Sequence, residues 1–335
     1  MKFGFLAGVC CVVFSFWGFS QTKTIDGYVR EKNTNVPLVG VSIYFDGTTL
    51  GTITNEEGYF TMEKESSLSA PLVVSFIGYG KKMLYGSELE NLNTIFLEER
   101  VIQLDEVVLK PDTWSRKKKL TIFRREFLGK TKEVLHCKIL NEDVIRLYYN
   151  KNDQVLYADA REPLIISNKH LGYTLVFDLT DFNAMFNLGH SGVQTVYSSY
   201  FSGTTFFSEL KTKKPKRNYI KNREQTYLGS ILHFMRSLSN KRIAEENFRI
   251  FKGSKEVRPY EYFEIEMQDG VSRVEQQTEI LSVLYDKFEQ SLMKVEGVFF
   301  IDGFGNHSPI ENVVFGGDFG LSRVASMLPL NYQLE

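Results

Sequence analysis

The sequence predicts a mainly β protein, with an antiparallel β-sandwich first and a β-rich α+β domain after it. Three observations lead there. Residues 23–109 are short β-branched and aromatic segments broken by turn signals about every ten residues, the rhythm of an antiparallel sandwich. In the run 37–62, Val41, Ile43 and Phe45 alternate with Ser42 and Tyr44, Asn55-Glu56-Glu57-Gly58 forms a turn, and Tyr59-Phe60-Thr61-Met62 resumes the alternation. Beyond Pro111, one long helical pattern stands among several strand-like ones.

A length of 335 residues fits about two domains, each large enough for its own core. The composition, 43% apolar and 24% charged, is that of a folded chain. Forty basic residues against forty-one acidic ones give a net charge of −1, so no global field recommends nucleic acid as a partner.

Residues 1–20 read as a secretory signal peptide: Lys2 is the positive start, residues 3–19 are apolar, and Gly18-Phe19-Ser20 precede a cut before Gln21. That predicts export across the inner membrane, to the periplasm or the outer-membrane and cell surface. Val9 before Cys10 and the short apolar run argue against a lipidated Cys10 or Cys11. Cys137 would then be the single thiol of the mature chain, expected to be buried and structural.

The first domain, residues 21–109, is expected to place strands at 24–31, 39–45, 51–54, 59–63, 72–77, 81–85 and 94–98. Asp46-Gly47 and Gly58 supply turns, and Pro37 and Pro71 stand at strand entrances. Asp26-Gly27-Tyr28-Val29, Pro37-Leu38-Val39-Gly40-Val41, the stretch 51–60 and Val74-Ser75-Phe76-Ile77-Gly78-Tyr79 together resemble the carboxypeptidase-regulatory-like domain. The resemblance implies a prealbumin-like, non-catalytic sandwich. In that family the module accompanies metallocarboxypeptidases and precedes outer-membrane receptors of Gram-negative bacteria. Leu104-Asp105-Glu106-Val107-Val108-Leu109 also resembles the stretch joining the module to the plug of a TonB-dependent receptor. The 226 residues after Leu109 would nearly all be consumed by a 22-stranded barrel at about ten residues per strand, so a receptor is not expected.

Residues 110–125 read as a linker and the start of a short helix, with Leu120, Phe123, Phe127 and Leu128 at helical spacing. Residues 126–335 are then one β-rich α+β domain, with strands at 139–149, 154–160, 171–179, 194–200, 204–210, 260–267 and 280–300. Asn152-Asp153, residues 189–192 and Ser202-Gly203 are read as turns, and Asp302-Gly303-Phe304-Gly305-Asn306 as a hairpin turn. Tyr227, Ile231, Phe234, Met235 and Leu238 share one face of a helix predicted over 223–238. Arg125-Glu126-Phe127-Leu128-Gly129, residues 160–168 and 171–173, Tyr227-Leu228-Gly229-Ser230 and Arg323-Val324-Ala325 are similar to the region following this module in secreted proteins of the same bacteria. That implies architecture and location, and no activity.

Chemical motifs are weak. A metallocarboxypeptidase needs H-x-x-E, and none of His136, His170, His190, His233 or His307 has a carboxylate three residues on. Gly189-His190-Ser191-Gly192 lacks the second glycine of a serine-hydrolase elbow, and the 302–306 stretch lacks the spaced carboxylates of a calcium loop. No catalytic, metal or cofactor-binding residue is therefore assigned. Lys211, Lys213, Lys214, Lys216, Arg217, Lys221 and Arg223 form a basic run with no acid among them, a candidate site for an acidic envelope polymer or a solvated loop. Tyr28, Tyr44, Tyr59 and Tyr79 are candidates for sugar stacking, or cross-strand partners.

The expected function is a non-catalytic, envelope-associated binding or scaffold protein whose partner is an envelope protein or glycan, with outer-membrane association and no nucleic acid. Alternatives are a hydrolase assembled from His170, His190 and Asp178 or Asp181, and an accessory to TonB-linked uptake. A small outer-membrane barrel is weaker, because the helix and the basic loops suit an aqueous domain.

Overall fold

A computed structural model describes residues 22–100, 114–188, 194–211, 217–268 and 270–334. Alternation in the first strand sets the sandwich: in β1 (Thr22–Glu31), Ile25, Gly27, Val29 and Glu31 face inward while their neighbours face solvent. It pairs antiparallel with β4 (Tyr59–Glu65) and parallel with β7 (Thr94–Leu97). The parallel pair departs from the all-antiparallel expectation. Parallel neighbours need a long crossover, which the rest of the sandwich supplies. The second sheet runs β3 (Gly51–Ile53), β2 (Ser42–Phe45), β5 (Leu72–Ser75) and β6 (Lys82–Leu84). Phe45, Phe60, Leu72 and Ile95 fill the space between the sheets.

The chain after Trp114 packs around two hydrophobic cores. The first opens with α1 (Arg116–Leu128), where Ser115 accepts a capping bond from the Lys118 N–H and Gly129 ends the helix. Phe123 and Phe127, four apart, present their rings to a sheet ordered β8 (Cys137–Ile139), β11 (Leu164–Asn168), β12 (Tyr173–Leu188), β10 (Val155–Ala160) and β9 (Ile145–Asn150). Along its other edge β12 pairs with β13 (Gln194–Glu209).

The second core is built on α3 (Ile231–Ser239), which follows α2 (Arg217–Tyr227). One sheet runs β15 (Lys255–Val257), β14 (Phe248–Lys252), β18 (Ile280–Tyr285), β19 (Glu289–Val295) and β22 (Val313–Gly317); the other runs β16 (Phe263–Gln268), β17 (Val271–Gln276), β20 (Val298–Ile301) and β21 (His307–Ser308). A short α4 (Asp318–Leu321) follows, and Val324 and Ala325 return to the first of the two cores.

Four sequence expectations are corrected. The helix predicted over 223–238 is two helices, because Gly229 takes φ +76° and Ser230 caps α3 by accepting from the His233 N–H at 3.1 Å. Ser202-Gly203 is no turn: 194–209 is one strand, and a Cβ on Gly203 would stand 2.3 Å from the Asp178 carbonyl oxygen, beside a register shift in β12. The strand expected over 139–149 is broken by a helical turn at Glu142–Val144, beside which Asn141 bonds the Pro163 carbonyl and the Ile165 N–H. That second bond reaches β11, for which the sequence predicted no strand. The segment read as a signal peptide, residues 104–109 and residues 189–192, expected to turn, lie outside the described residues.

Candidate functional site

Two junctions hold the three cores together, and they differ in chemistry. The first is a clamp between the sandwich and β13. The turn after β2 brings Gly47 (φ +71°) against the strand, where its N–H donates to the Thr205 carbonyl at 2.8 Å and Phe207 N–H donates to the Thr48 carbonyl at 2.9 Å. The Asp46 carboxylate accepts from the Thr205 N–H at 2.7 Å, and its pKa is raised by burial despite that bond. Tyr44 Oη lies 3.1 Å from Thr204 Oγ1, and Lys81 pairs with Asp178 at 2.8 Å. A Cβ on Gly51 would meet Phe206 at 2.6 Å, so glycine there permits the close approach.

The turn between β20 and β21 closes the clamp from the third core. Asp302 is 2% exposed; one carboxylate oxygen accepts from the Phe304 and Asn306 N–H groups, and the other from the Ser69 N–H and hydroxyl of the sandwich. Phe304 is thereby seated in the sandwich core. Arg236 of α3 donates to the carbonyls of Phe304 and Leu330 at 2.9 and 2.7 Å.

The second junction is a half-open cleft of about 400 Å³ between the two later cores. Lys132, Glu133 and His170 contribute to one part of its wall, and Gln225, Ser230 and Ser322 to others. Glu289, at the start of β19, and Asp318, at the start of α4, also line it. The Glu289 carboxylate lies over Gly229, where a Cβ would come within 2.3 Å of Oε2. Burial first, then the charges of Asp318 and Asp286, hold Glu289 above the usual carboxylate range. Burial lowers His170.

Beneath the cleft floor, the Gly229 N–H donates to His233 Nδ1 at 3.1 Å, which places the imidazole proton on Nε2, 3.4 Å from Glu246 Oε2. Burial lowers the pKa of His233. The neutral ring thus fixes the corner between α2 and α3 that carries Gly229 and Ser230.

A family model described as a CarboxypepD_reg-like domain matches residues 25–109. Residues 25–109 are a CarboxypepD_reg-like domain. Over 99 residues the chain is also 35% identical to the TonB-dependent receptor SusC of Bacteroides thetaiotaomicron, in a match covering 29% of this chain and 9% of the receptor. The match therefore spans less than a tenth of that relative's length.

The tyrosines of the CarboxypepD_reg-like domain are largely structural. Tyr44 is buried in the clamp, Tyr28 and Tyr59 are a cross-strand pair with ring centres 5.2 Å apart, and Tyr79 packs on Phe76. In the basic run, Lys213, Lys214 and Lys216 lie outside the described residues, while Lys211, Arg217 and Lys221 are exposed. Arg217 to Arg223 is helix rather than loop. Arg223 is buried; it donates to the Leu171 carbonyl at 2.8 Å, pairs with Glu209 at 3.0 Å and lies over the Tyr173 ring. Its guanidinium fastens α2 to the sheet.

The hydrolase grouping does not assemble among the described residues. Asp178 pairs with Lys81 in the clamp and Asp181 is exposed beside Ser202, whereas His170 lines the cleft beyond the far end of β12. From Tyr173 to Asp178 alone the strand rises about 16 Å. His190 lies outside the described residues. Cys137 is buried, with its thiol pushed up to about 12, as a structural cysteine should be. Sequence reasoning missed Glu289 and Asp318, which have no motif spacing; the one local signal was Gly229-Ser230 interrupting a helical pattern.

Proposed function

We propose that this chain is a non-catalytic, envelope-associated binding or scaffold protein, in which the CarboxypepD_reg-like domain is a fixed arm and the cleft receives the ligand. The clamp carries this reading. A domain joined by backbone pairing at Gly47–Thr48, an ion pair and a buried carboxylate is held in one orientation, as a scaffold requires. The partner is an envelope protein or glycan, reached after export across the inner membrane, in the periplasm or at the outer-membrane surface. Among the described residues no helix is long and apolar enough to cross a membrane, a statement that does not bear on β-barrels. Exposed Lys211, Arg217 and Lys221 support an acidic polymer as one contact of such a partner.

The test is capture from detergent-solubilised envelope fractions, with a glycan array alongside, using the full chain and the cleft-blocking variant Ser322→Trp. Capture that the variant loses supports the reading; an empty capture with a blank array overturns it. A second reading, an accessory to TonB-linked uptake, is favoured by the similarity to the N-terminal region of SusC. Co-purification with a TonB-dependent receptor from the native envelope supports it, and a receptor-free eluate counts against it.

A further inference from the structure

The sheet of the first core after Trp114 treats its two faces differently. On the inner face α1 lays Phe123 against Phe182 and Phe127 against Phe177. The outer face is divided: the sandwich stands on it at Asp178, Thr204 and Phe206, and the rest carries no other layer. In that open part Tyr148 of β9 pairs with Tyr157 of β10, Tyr157 with Asn183 of β12, and Asn183 with Tyr200 of β13. Residues paired across strands share a face, so three tyrosines and an asparagine form one row about 14 Å wide. Tyr197, at the register shift beside Met185, adds a fourth ring, with its hydroxyl 3.4 Å from Met185 Sδ.

Strand tyrosines are ordinarily spent on one another, as Tyr28 and Tyr59 are with ring centres 5.2 Å apart. Here they are not. Tyr157, Tyr197 and Tyr200 are 42%, 59% and 52% exposed, and among the described residues none of the four rings packs on another aromatic ring. The hydroxyls of Tyr148, Tyr157 and Tyr200 and the side-chain amide of half-buried Asn183 make no hydrogen bond among those residues either. Free rings with free hydroxyls and an amide between them suit a ligand with an apolar face and a hydroxylated rim. A sugar ring has both: its C–H face lies on an aromatic ring while its hydroxyls bond the polar groups around it.

Charge narrows the class further. Arg146 is the one cation on β9, β10, β12 and β13, and it pairs with Asp159, so these strands offer no free cation to an anionic polymer. A protein-binding face has an apolar centre, whereas here every exposed ring bears a hydroxyl, Val155 is buried and Met185 is half-buried. The row is also continuous with the contact made by the sandwich. Tyr200 and Thr204 lie four residues apart on β13, about 13 Å, so the sandwich stands as a step beside the row.

We propose that the outer face of β9, β10, β12 and β13 is a platform for a neutral polysaccharide, with sugar rings on Tyr157 and Tyr200 and hydroxyls on Asn183 and the tyrosine hydroxyls. The platform shares no residue with the cleft and goes beyond the reading given above.

The test runs the full chain in native affinity gels containing dextran, laminarin, mannan or xyloglucan, with polygalacturonate as the anionic control, and follows with calorimetry on the glycan that retards it. At least one neutral glycan is expected to bind, at least about tenfold more weakly in Tyr157→Ala/Tyr200→Ala. Ser322→Trp and high salt should leave that binding unchanged. Both tyrosines are exposed, so the melting temperature should hold; if it falls, Tyr200→Ala alone, at the edge of the sheet, repeats the comparison. Three results overturn the proposal: no neutral glycan retards the chain, polygalacturonate alone does so, or binding survives in the tyrosine variants. Glycan binding lost in Ser322→Trp and kept in the tyrosine variants assigns the sugar to the cleft and removes it from the row. An envelope protein captured by the full chain and lost in Tyr157→Ala/Tyr200→Ala, with every gel blank, gives the face to a protein partner and overturns the glycan.

Discussion

The clamp at β13 and the cleft beside Gly229 are both seams between packed cores, and they treat charge in opposite ways. In the clamp each acid has a partner: Asp46 holds an N–H, Asp178 holds Lys81 and Asp302 holds four donors. In the cleft, Glu289 and Asp318 face one another without a cation. Burying a charge is tolerable only when it is paired and hydrogen-bonded, so the first seam is built to stay shut. The second leaves Glu289 and Asp318 exposed to water, where a lone carboxylate costs little. That contrast separates a closed structural junction from an open seam, the one proposed to receive a ligand.

Substitutions can break the contrast, beginning where the effect is largest. Gly203→Val, forcing a side chain into the Asp178 carbonyl, should destabilise by about 3 kcal/mol in urea denaturation. A neutral result would mean that the strand can move away from β12 at that point. Asp302→Ala strands the Ser69, Phe304 and Asn306 donors inside the protein, for an expected loss of about 2–3 kcal/mol. If the loss is below about 0.5 kcal/mol, the turn does not fasten the sandwich.

Acid should loosen the same side of the molecule. His307 of β21, packed edge-on to Phe315, is lowered by burial to about 4. Its neutral form belongs to the folded state, so its contribution is complete above the unfolded value of about 6.5 and is lost as pH falls from there to about 4. The melting temperature should decline over that window, and His307→Phe should flatten the decline. The cleft predicts the reverse of the clamp. Glu289→Gln or Asp318→Asn should leave stability at neutral pH within about 0.5 kcal/mol, or raise it slightly as the like-charge repulsion is relieved. A loss above about 1 kcal/mol would mean that the cleft carboxylates also serve the fold.

How much of this was legible depends on range. Strands of the CarboxypepD_reg-like domain could be read because β1 alternates with period two and Gly58 marks its turn through a local backbone need. The α1 stripe of Phe123 and Phe127 was readable for the same reason, at helical period. Ser202-Gly203 misled because glycine usually signals a turn, whereas here it admits the Asp178 carbonyl of a neighbouring strand. Of the candidate site, the exposed lysines of the basic run were legible as charge, while the burial of Arg223 was not. The meeting of Glu289 with Asp318 was beyond reach too, since sequence spacing carries no record of which loops face each other.

The sequence by itself therefore determined the class of the fold, the presence of a CarboxypepD_reg-like domain and the absence of an H-x-x-E pair, all set by local periodicity, turn chemistry or residue spacing. Tertiary structure alone decided that the chain after Trp114 forms two cores, that the sandwich is clamped to β13, and that unpaired carboxylates converge beside Gly229. The physical reason is that burial and electrostatic pairing depend on distance in space, and residues 46 and 205, or 229 and 289, become neighbours only after the chain has folded.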